Sequence, residues 1–177
     1  WVQLRVVDPA TGQDVPHGEV GEIWIQSEML MSGYWRKPAE TAETVQAGGW
    51  LRTGDAAFQD AEGYIYLFDR YKDLIISGGE NIYPAEIENV LHGHAAVLQV
   101  AVIGIPHEKW GETPRAVVVL RPDMNASEAD LVTYTRERLA HYKCPTSVVF
   151  SAQLPRNASG KLLKRELRRI YLEESST

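Results

Sequence analysis

Short apolar runs broken by turn residues fill the first part of the chain, and apolar strands alternate with helical stripes in the rest. Trp1 to Val7 reads as a strand already under way, ending at the turn cluster Asp8-Pro9-Ala10-Thr11-Gly12. Glu22 to Ile25 nearly alternates, and Gly48-Gly49 and Asp60-Ala61-Glu62-Gly63 mark further turns. Tyr64 to Phe68 is rich in aromatic and β-branched residues, which suit a pleated surface. Many short strands with such turns predict an antiparallel, barrel-like subdomain. Beyond about Arg70 the period changes. Pro84 can open a helix, because its missing N–H costs nothing in the first turn, and Ile87, Val90 and Leu91 then form an apolar stripe. Val97 to Ile105 and Arg115 to Leu120 are near-continuous apolar runs, read as buried strands. Ser127 is placed to cap a helix on which Leu131 and Leu139 share a face. Val148-Val149-Phe150 is a further strand; Leu163, Leu167, Ile170 and Tyr171 stripe a closing helix, and the Ser-Ser-Thr tail is expected to fray.

The charged joint Asp69-Arg70-Tyr71-Lys72-Asp73 separates the two regimes. The predicted class is therefore α+β: the end of an antiparallel β-barrel-like subdomain, then a small α/β domain with a three-stranded sheet flanked by helices. At 177 residues the chain holds one ordinary domain, or a small domain plus part of another. It opens inside a strand without Met or signal peptide, and so reads as a piece of something longer. Hydrophobic residues at 44% and charged residues at 24% give a soluble globular composition, and no apolar run is long enough to span a bilayer.

A net charge of −6 argues against nonspecific nucleic-acid binding, which needs a positive surface to displace counterions. Arg156, Lys161, Lys164, Arg165, Arg168 and Arg169 form the only basic concentration, read as a solvated helix face except for Lys161. Cys144 is the only cysteine, which excludes an intrachain disulfide and fits a reducing, cytoplasmic location. The histidines lack ligand spacing, so no metal site is predicted.

Four segments could carry chemistry. In Arg52-Thr53-Gly54-Asp55 a carboxylate after a glycine can accept from a vicinal diol such as ribose, or simply close a turn on its own backbone. Asp69 to Asp73 could be a solvated joint and nothing more. In Ser77-Gly78-Gly79-Glu80 the paired glycines allow close approach and positive φ ahead of a helix start, or form a plain turn. Pro155-Arg156-Asn157-Ala158-Ser159-Gly160-Lys161 places an ammonium behind small residues, as a mobile loop could. It is not a phosphate-binding P-loop, since Pro155 replaces the first glycine and Leu162 the hydroxyl residue.

In order and content these segments resemble the adenylate-forming superfamily, which includes acyl-CoA synthetases, aryl-CoA ligases, peptide-synthetase adenylation domains and luciferases. The likeness runs from Gly21-Glu22-Ile23-Trp24 and Gly33-Tyr34-Trp35-Arg36-Lys37-Pro38 through Trp50 to Asp55. It continues from Asp69 to Glu88 and ends at Gly160-Lys161. The resemblance implies attack of a carboxylate on the α-phosphate of ATP, then transfer of the acyl group from acyl-AMP to a thiol, usually that of CoA. Lys161 would be the catalytic cation; Asp55 would bind the ribose hydroxyls and Arg70 assist at ribose or phosphate. Lys72 matches a hinge, and Gly78, Gly79 and Glu80 match a segment lining the pantetheine path. Lys143 matches a position that contacts CoA phosphates, though a plain surface lysine fits as well. Residues 1–71 would be the end of a large N-terminal domain, and 72–177 a mobile C-terminal lid.

The run Ser-Gly-Gly-Glu-Asn-Ile-Tyr-Pro looks most like the fatty-acyl and aryl-acyl CoA ligases. Implied partners are a small carboxylic acid, ATP and CoA, with Mg2+ arriving with ATP on ligands outside this chain. The resemblance puts the phosphate loop, adenine pocket and acyl pocket upstream of Trp1, so the chain is expected to be inactive alone. Loading of a carrier protein and a non-catalytic interaction module are the alternatives. Oligomeric state and the identity of the acid are not legible.

Overall fold

The computed structural model describes residues 1–173, and the Ser-Ser-Thr tail lies outside them. The chain divides into two compact units, Trp1–Lys72 and the unit from Asp73 onward.

The first unit is an antiparallel sheet of β1 (Gln3–Val7), β2 (Gly21–Gln26), β3 (Val45–Gln46), β4 (Trp50–Gln59) and β5 (Ile65–Arg70). β2 lies between β1 and β4, and β3 and β5 also pair with β4. Val6, Val7, Ile23, Trp24, Ala56 and Ala57 are buried on it. Asp8 stops β1 by accepting from the amides of Ala10 and Thr11, and the expected turn at Asp60 accepts from Glu62 and Tyr64. Sequence periodicity reads this whole stretch as strands, but Pro38–Thr44 is a helix, α1. No residue of α1 is buried, so it carries no apolar stripe to betray it.

β2 and β4 do not pair evenly. Glu22 lies opposite Ala56 but Trp24 lies opposite Arg52, which leaves β4 two residues longer than β2 across Thr53-Gly54-Asp55. This wide bulge bends the strand, and Gly54 takes φ +72°, a left-handed value that costs a side-chain-bearing residue about 1 kcal/mol or more.

In the second unit β8 (Val97–His107) and β9 (Gly111–Leu120) form a long antiparallel hairpin, and β10 (Ser147–Phe150) runs parallel to β9. This is the expected three-stranded sheet. It is extended by a small hairpin, β6 (Ile75–Ser77) and β7 (Glu80–Ile82), joined to β9 through the pair Ser77 and Gly111.

Both faces of this sheet are covered, which is why β8 and β9 read as continuous apolar runs. On one face Val100, Val102, Ala116 and Val118 pack with Ile87 and Leu91 of α2 (Pro84–His92) and Leu131 of α3 (Glu128–Arg136). On the other, Ala101, Ile103, Val117 and Val119 pack with Leu154 and with Leu167 of α4 (Lys164–Glu173). Each fully buried aliphatic side chain contributes roughly 1.5–3 kcal/mol.

Ser127 caps α3 as expected, in a reciprocal box with Asp130. Leu139 packs on the core from just beyond the helix end. The expected stripe on α4 is only half right. Leu167 and Tyr171 pack inward, whereas Leu163 and Ile170 are each 37% exposed. Leu163 precedes the helix, and its carbonyl accepts from Leu167. Burial pushes the Cys144 thiol above its ordinary pKa, so the lone cysteine is an inert core residue. No helix among the described residues is long and apolar enough to cross a membrane.

Candidate functional site

The β4 bulge is held by side chains instead of by the strand ladder. Glu22 is only 2% exposed. Its Oε1 accepts from the Gly54 amide at 3.0 Å. Its Oε2 accepts from the Trp24 indole at 3.1 Å and from Arg52, whose Nε and Nη2 stand at 3.0 and 2.9 Å. The Thr53 hydroxyl donates to the Ile23 carbonyl at 2.8 Å and accepts from the Asp55 amide at 3.1 Å. A buried carboxylate costs several kcal/mol to desolvate unless it is paired and hydrogen-bonded. Glu22 meets both conditions.

Across the strand pair, Asp55 faces Arg70, and Arg70 Nε donates to Asp55 Oδ1 at 2.8 Å. The Asp55 carboxylate therefore does not close a turn on its own backbone. Its Oδ2 receives no hydrogen bond among the described residues, which leaves an acceptor that suits a hydroxyl. Arg70 and Lys72, with Glu22, Arg52 and Gly54, wall an open cleft of 440 Å³. Asp55 stands outside that wall and is joined to it through Arg70. The joint is more than solvated charge, because the buried Asp73 pairs with Arg168 of α4 at 3.1 Å.

Gly78 and Gly79 form the two-residue loop of the β6–β7 hairpin, with φ +60° and +89°. Positive φ at both central residues marks a type I′ turn, which glycine favours. A Cβ at Gly78 would stand 2.8 Å from the Trp110 ring, whereas at Gly79 it would meet nothing within 4 Å. The helix predicted to open at Pro84 does start there, with β7 between it and the glycines. The glycines thus have a local folding reason in addition to any ligand. Glu80 is exposed at the hairpin end. Lys143 is a paired lysine: its ammonium meets both oxygens of Glu86, at 2.8 and 2.7 Å.

Lys161 is exposed, and its ammonium makes no ion pair among the described residues. The segment before it is not simply a string of small, flexible residues. Asn157 Oδ1 accepts from the Ser159 amide and hydroxyl and from the Lys161 amide, at 3.1, 2.8 and 2.8 Å. The amide of Asn157 in turn donates to the Lys161 carbonyl, closing a tight turn.

The structure therefore brings Asp55, Arg70 and Lys72 into one region of the first unit. Gly78, Gly79, Glu80, Lys143 and Lys161 belong to the second. Sequence reasoning gave no role to Glu22, Arg52, Thr53, Glu86 or Trp110. The available signal was the acidic residue inside the otherwise apolar run Glu22-Ile23-Trp24-Ile25.

Comparison with known proteins fits this frame. The family model of the AMP-binding enzyme C-terminal domain matches residues 86–161, and that of the AMP-binding enzyme matches residues 1–35. The chain belongs to the AMP-binding, adenylate-forming enzyme family. It is similar to feruloyl-CoA synthase of an Amycolatopsis species, with 47% identity over 97% of this chain and 34% of that protein. It is similar also to the fatty acid–[acyl-carrier-protein] ligase ScoC of Streptomyces coeruleorubidus, with 45% identity over 99% of this chain and 33% of that protein. The crystal structure of ATP-bound MatB from Rhodopseudomonas palustris superposes with a TM-score of 0.91 at 39% identity, covering 96% of this chain and 34% of that one. The chain thus spans about a third of the length of the curated relatives it matches.

Proposed function

We propose that this chain is part of an ATP-dependent ligase that converts a fatty or aryl carboxylic acid to acyl-AMP and transfers the acyl group to CoA. The observation that carries the reading is the bulge that sets Asp55 against Arg70 with one carboxylate oxygen open. That arrangement suits a ribose diol, with the Arg70 guanidinium beside it for ribose or phosphate. ATP supplies the phosphoanhydride whose cleavage drives the reaction, and its Mg2+ is held by groups outside this chain.

Two anions must meet in the first step, so a cation on the developing charge is the main catalytic need. Lys161, exposed and without an ion-pair partner among the described residues, supplies it. Residues 72–177 act as a mobile lid on residues 1–71, with Lys72 as the hinge. Gly78, Gly79 and Glu80 line the path of the thiol. Lys143 meets CoA phosphate by exchanging its Glu86 partner for it. By itself the chain neither adenylates an acid nor binds ATP tightly; pyrophosphate exchange by the purified chain would overturn this.

The test is Lys161→Ala in the full-length enzyme. It abolishes acid-dependent pyrophosphate exchange but spares thioester formation from added acyl-AMP. Wild-type exchange by this variant would sink the catalytic reading and favour a non-catalytic module. A carrier-protein thiol as acceptor is the second reading, favoured by the likeness to ScoC. Offering acyl-AMP with CoA or with a carrier protein to the full-length enzyme decides between the two.

A further inference from the structure

We infer that Glu22 is a positioning residue for nucleotide recognition: its buried carboxylate holds the β4 bulge in the one shape that presents Asp55 to a ribose. The inference rests on the reading of Asp55 proposed above.

Across Thr53-Gly54-Asp55 the β2–β4 ladder is interrupted, so the amides there need partners from elsewhere. The Gly54 amide finds Glu22 Oε1 and the Asp55 amide finds the Thr53 hydroxyl, so both residues leading to the Asp55 side chain are fixed by side chains. Stability alone does not call for this design. A regular strand with an apolar residue at position 22 would satisfy the same backbone without desolvating a carboxylate. The carboxylate is locked in turn by the Trp24 indole and the Arg52 fork, and Arg52 lies over the Trp24 ring with its guanidinium carbon 5.8 Å from the ring centroid. Glutamine at position 22 keeps the size but cannot serve these donors with both atoms, since its NH2 would meet N–H groups. Glu22 is thus joined to Asp55 through one intervening residue and to the cleft through its own place in the wall.

The experiment compares ATP with 2′-deoxyATP, which lacks one of the two hydroxyls a carboxylate would accept from. Adenylation is followed by pyrophosphate exchange in the full-length enzyme for Glu22→Gln, Thr53→Val and Asp55→Asn, with thermal unfolding recorded for each. Asp55→Asn lowers the preference in kcat/KM for ATP over 2′-deoxyATP by about ten-fold, the scale of one lost charged hydrogen bond. Glu22→Gln and Thr53→Val each lower that preference by about five-fold, mainly through KM for ATP, with KM for the acid unchanged.

A merely structural Glu22 would depress both nucleotides alike. Preserved preference in Glu22→Gln and Thr53→Val, alongside its loss in Asp55→Asn, overturns the positioning role while leaving the ribose reading intact. Preserved preference in Asp55→Asn overturns the ribose reading and this inference with it. Should Glu22→Gln fail to fold, Glu22→Asp decides, because it keeps the charge but shortens the reach to the Gly54 amide, and preserved preference there overturns the positioning role.

Discussion

The bend at Thr53-Gly54-Asp55 and the turn at Asn157–Lys161 each present one charged side chain, but they are held in opposite ways. The bend is wired to the interior, through a carboxylate that is 2% exposed and through the guanidinium and indole that pair with it. The turn is held by exposed side chains, with Asn157 Oδ1 gathering three donors and Arg156 donating to the Gly160 carbonyl and to Gln99. Under the proposed ribose role, a group that must stay fixed is built at the expense of the core, so recognition and stability would be coupled there. A cation offered at a solvent turn depends on exposed bonds, and its chemistry can be altered without touching the buried core.

Several substitutions sharpen or break that contrast. The largest effect is expected for Lys161→Ala in the full-length enzyme, with pyrophosphate exchange reduced about 10²–10³-fold and the melting temperature unmoved. A lowered melting temperature would show that the turn is coupled to the fold after all. Glu22→Ala removes the anchor of the bend and leaves Arg52 unpaired. Because the Arg52 side chain is 35% exposed and can reach water, the cost is about 2–3 kcal/mol, below the full penalty for a buried orphan charge. Urea unfolding measures it, and a change below about 1 kcal/mol would erase the difference between the two regions.

The glycine turn offers an intermediate case. Gly78→Ala combines positive φ with a Cβ 2.8 Å from Trp110, and should cost about 2 kcal/mol. Gly79→Ala meets open space and should cost about 1 kcal/mol from backbone strain alone. Equal values in thermal unfolding would mean that the Trp110 ring yields freely.

The smallest effect is a pH dependence at another solvent-exposed local motif, the cap of α3. Hydrogen bonds from the Ser127 hydroxyl and amide hold the Asp130 carboxyl below its ordinary range. A carboxylate depressed on folding contributes stability that is present above its unfolded pKa and lost as pH falls through the folded value. The stability gap between the parent and Ser127→Ala should therefore be constant near neutrality and narrow in acid. A gap independent of pH down to full protonation would show that the carboxylate is not part of the cap.

Much of this was legible in the sequence where periodicity or local chemistry decides the structure. The two-faced strands β8 and β9, the Pro84 start of α2 and the Ser127 cap all follow from neighbours a few residues apart. What stayed hidden depends on partners far along the chain. Glu22 and Gly54 are 32 residues apart, and Lys143 and Glu86 are 57 apart, so no local pattern announces either pair. Helix α1 escaped because it buries nothing, and the outward Leu163 and Ile170 escaped because apolar residues at helical spacing were all assigned to one face. The Asn157 turn was read for the smallness of its residues, when the side-chain acceptor at its head organises it.

The two residues by which β4 exceeds β2 have one more consequence. Side chains alternate across a strand with a period of two, so the parity of a surplus bears on which side of the sheet the later residues face. An even surplus leaves the alternation in phase. Ala56 and Ala57, directly after the bend, are both fully buried, so β4 rejoins the core at once. Excising the surplus pair should thus yield a straighter sheet that no longer sets Asp55 against Arg70 as it stands here. Stability alone does not call for this detour, and the ribose role proposed for Asp55 gives it a reason.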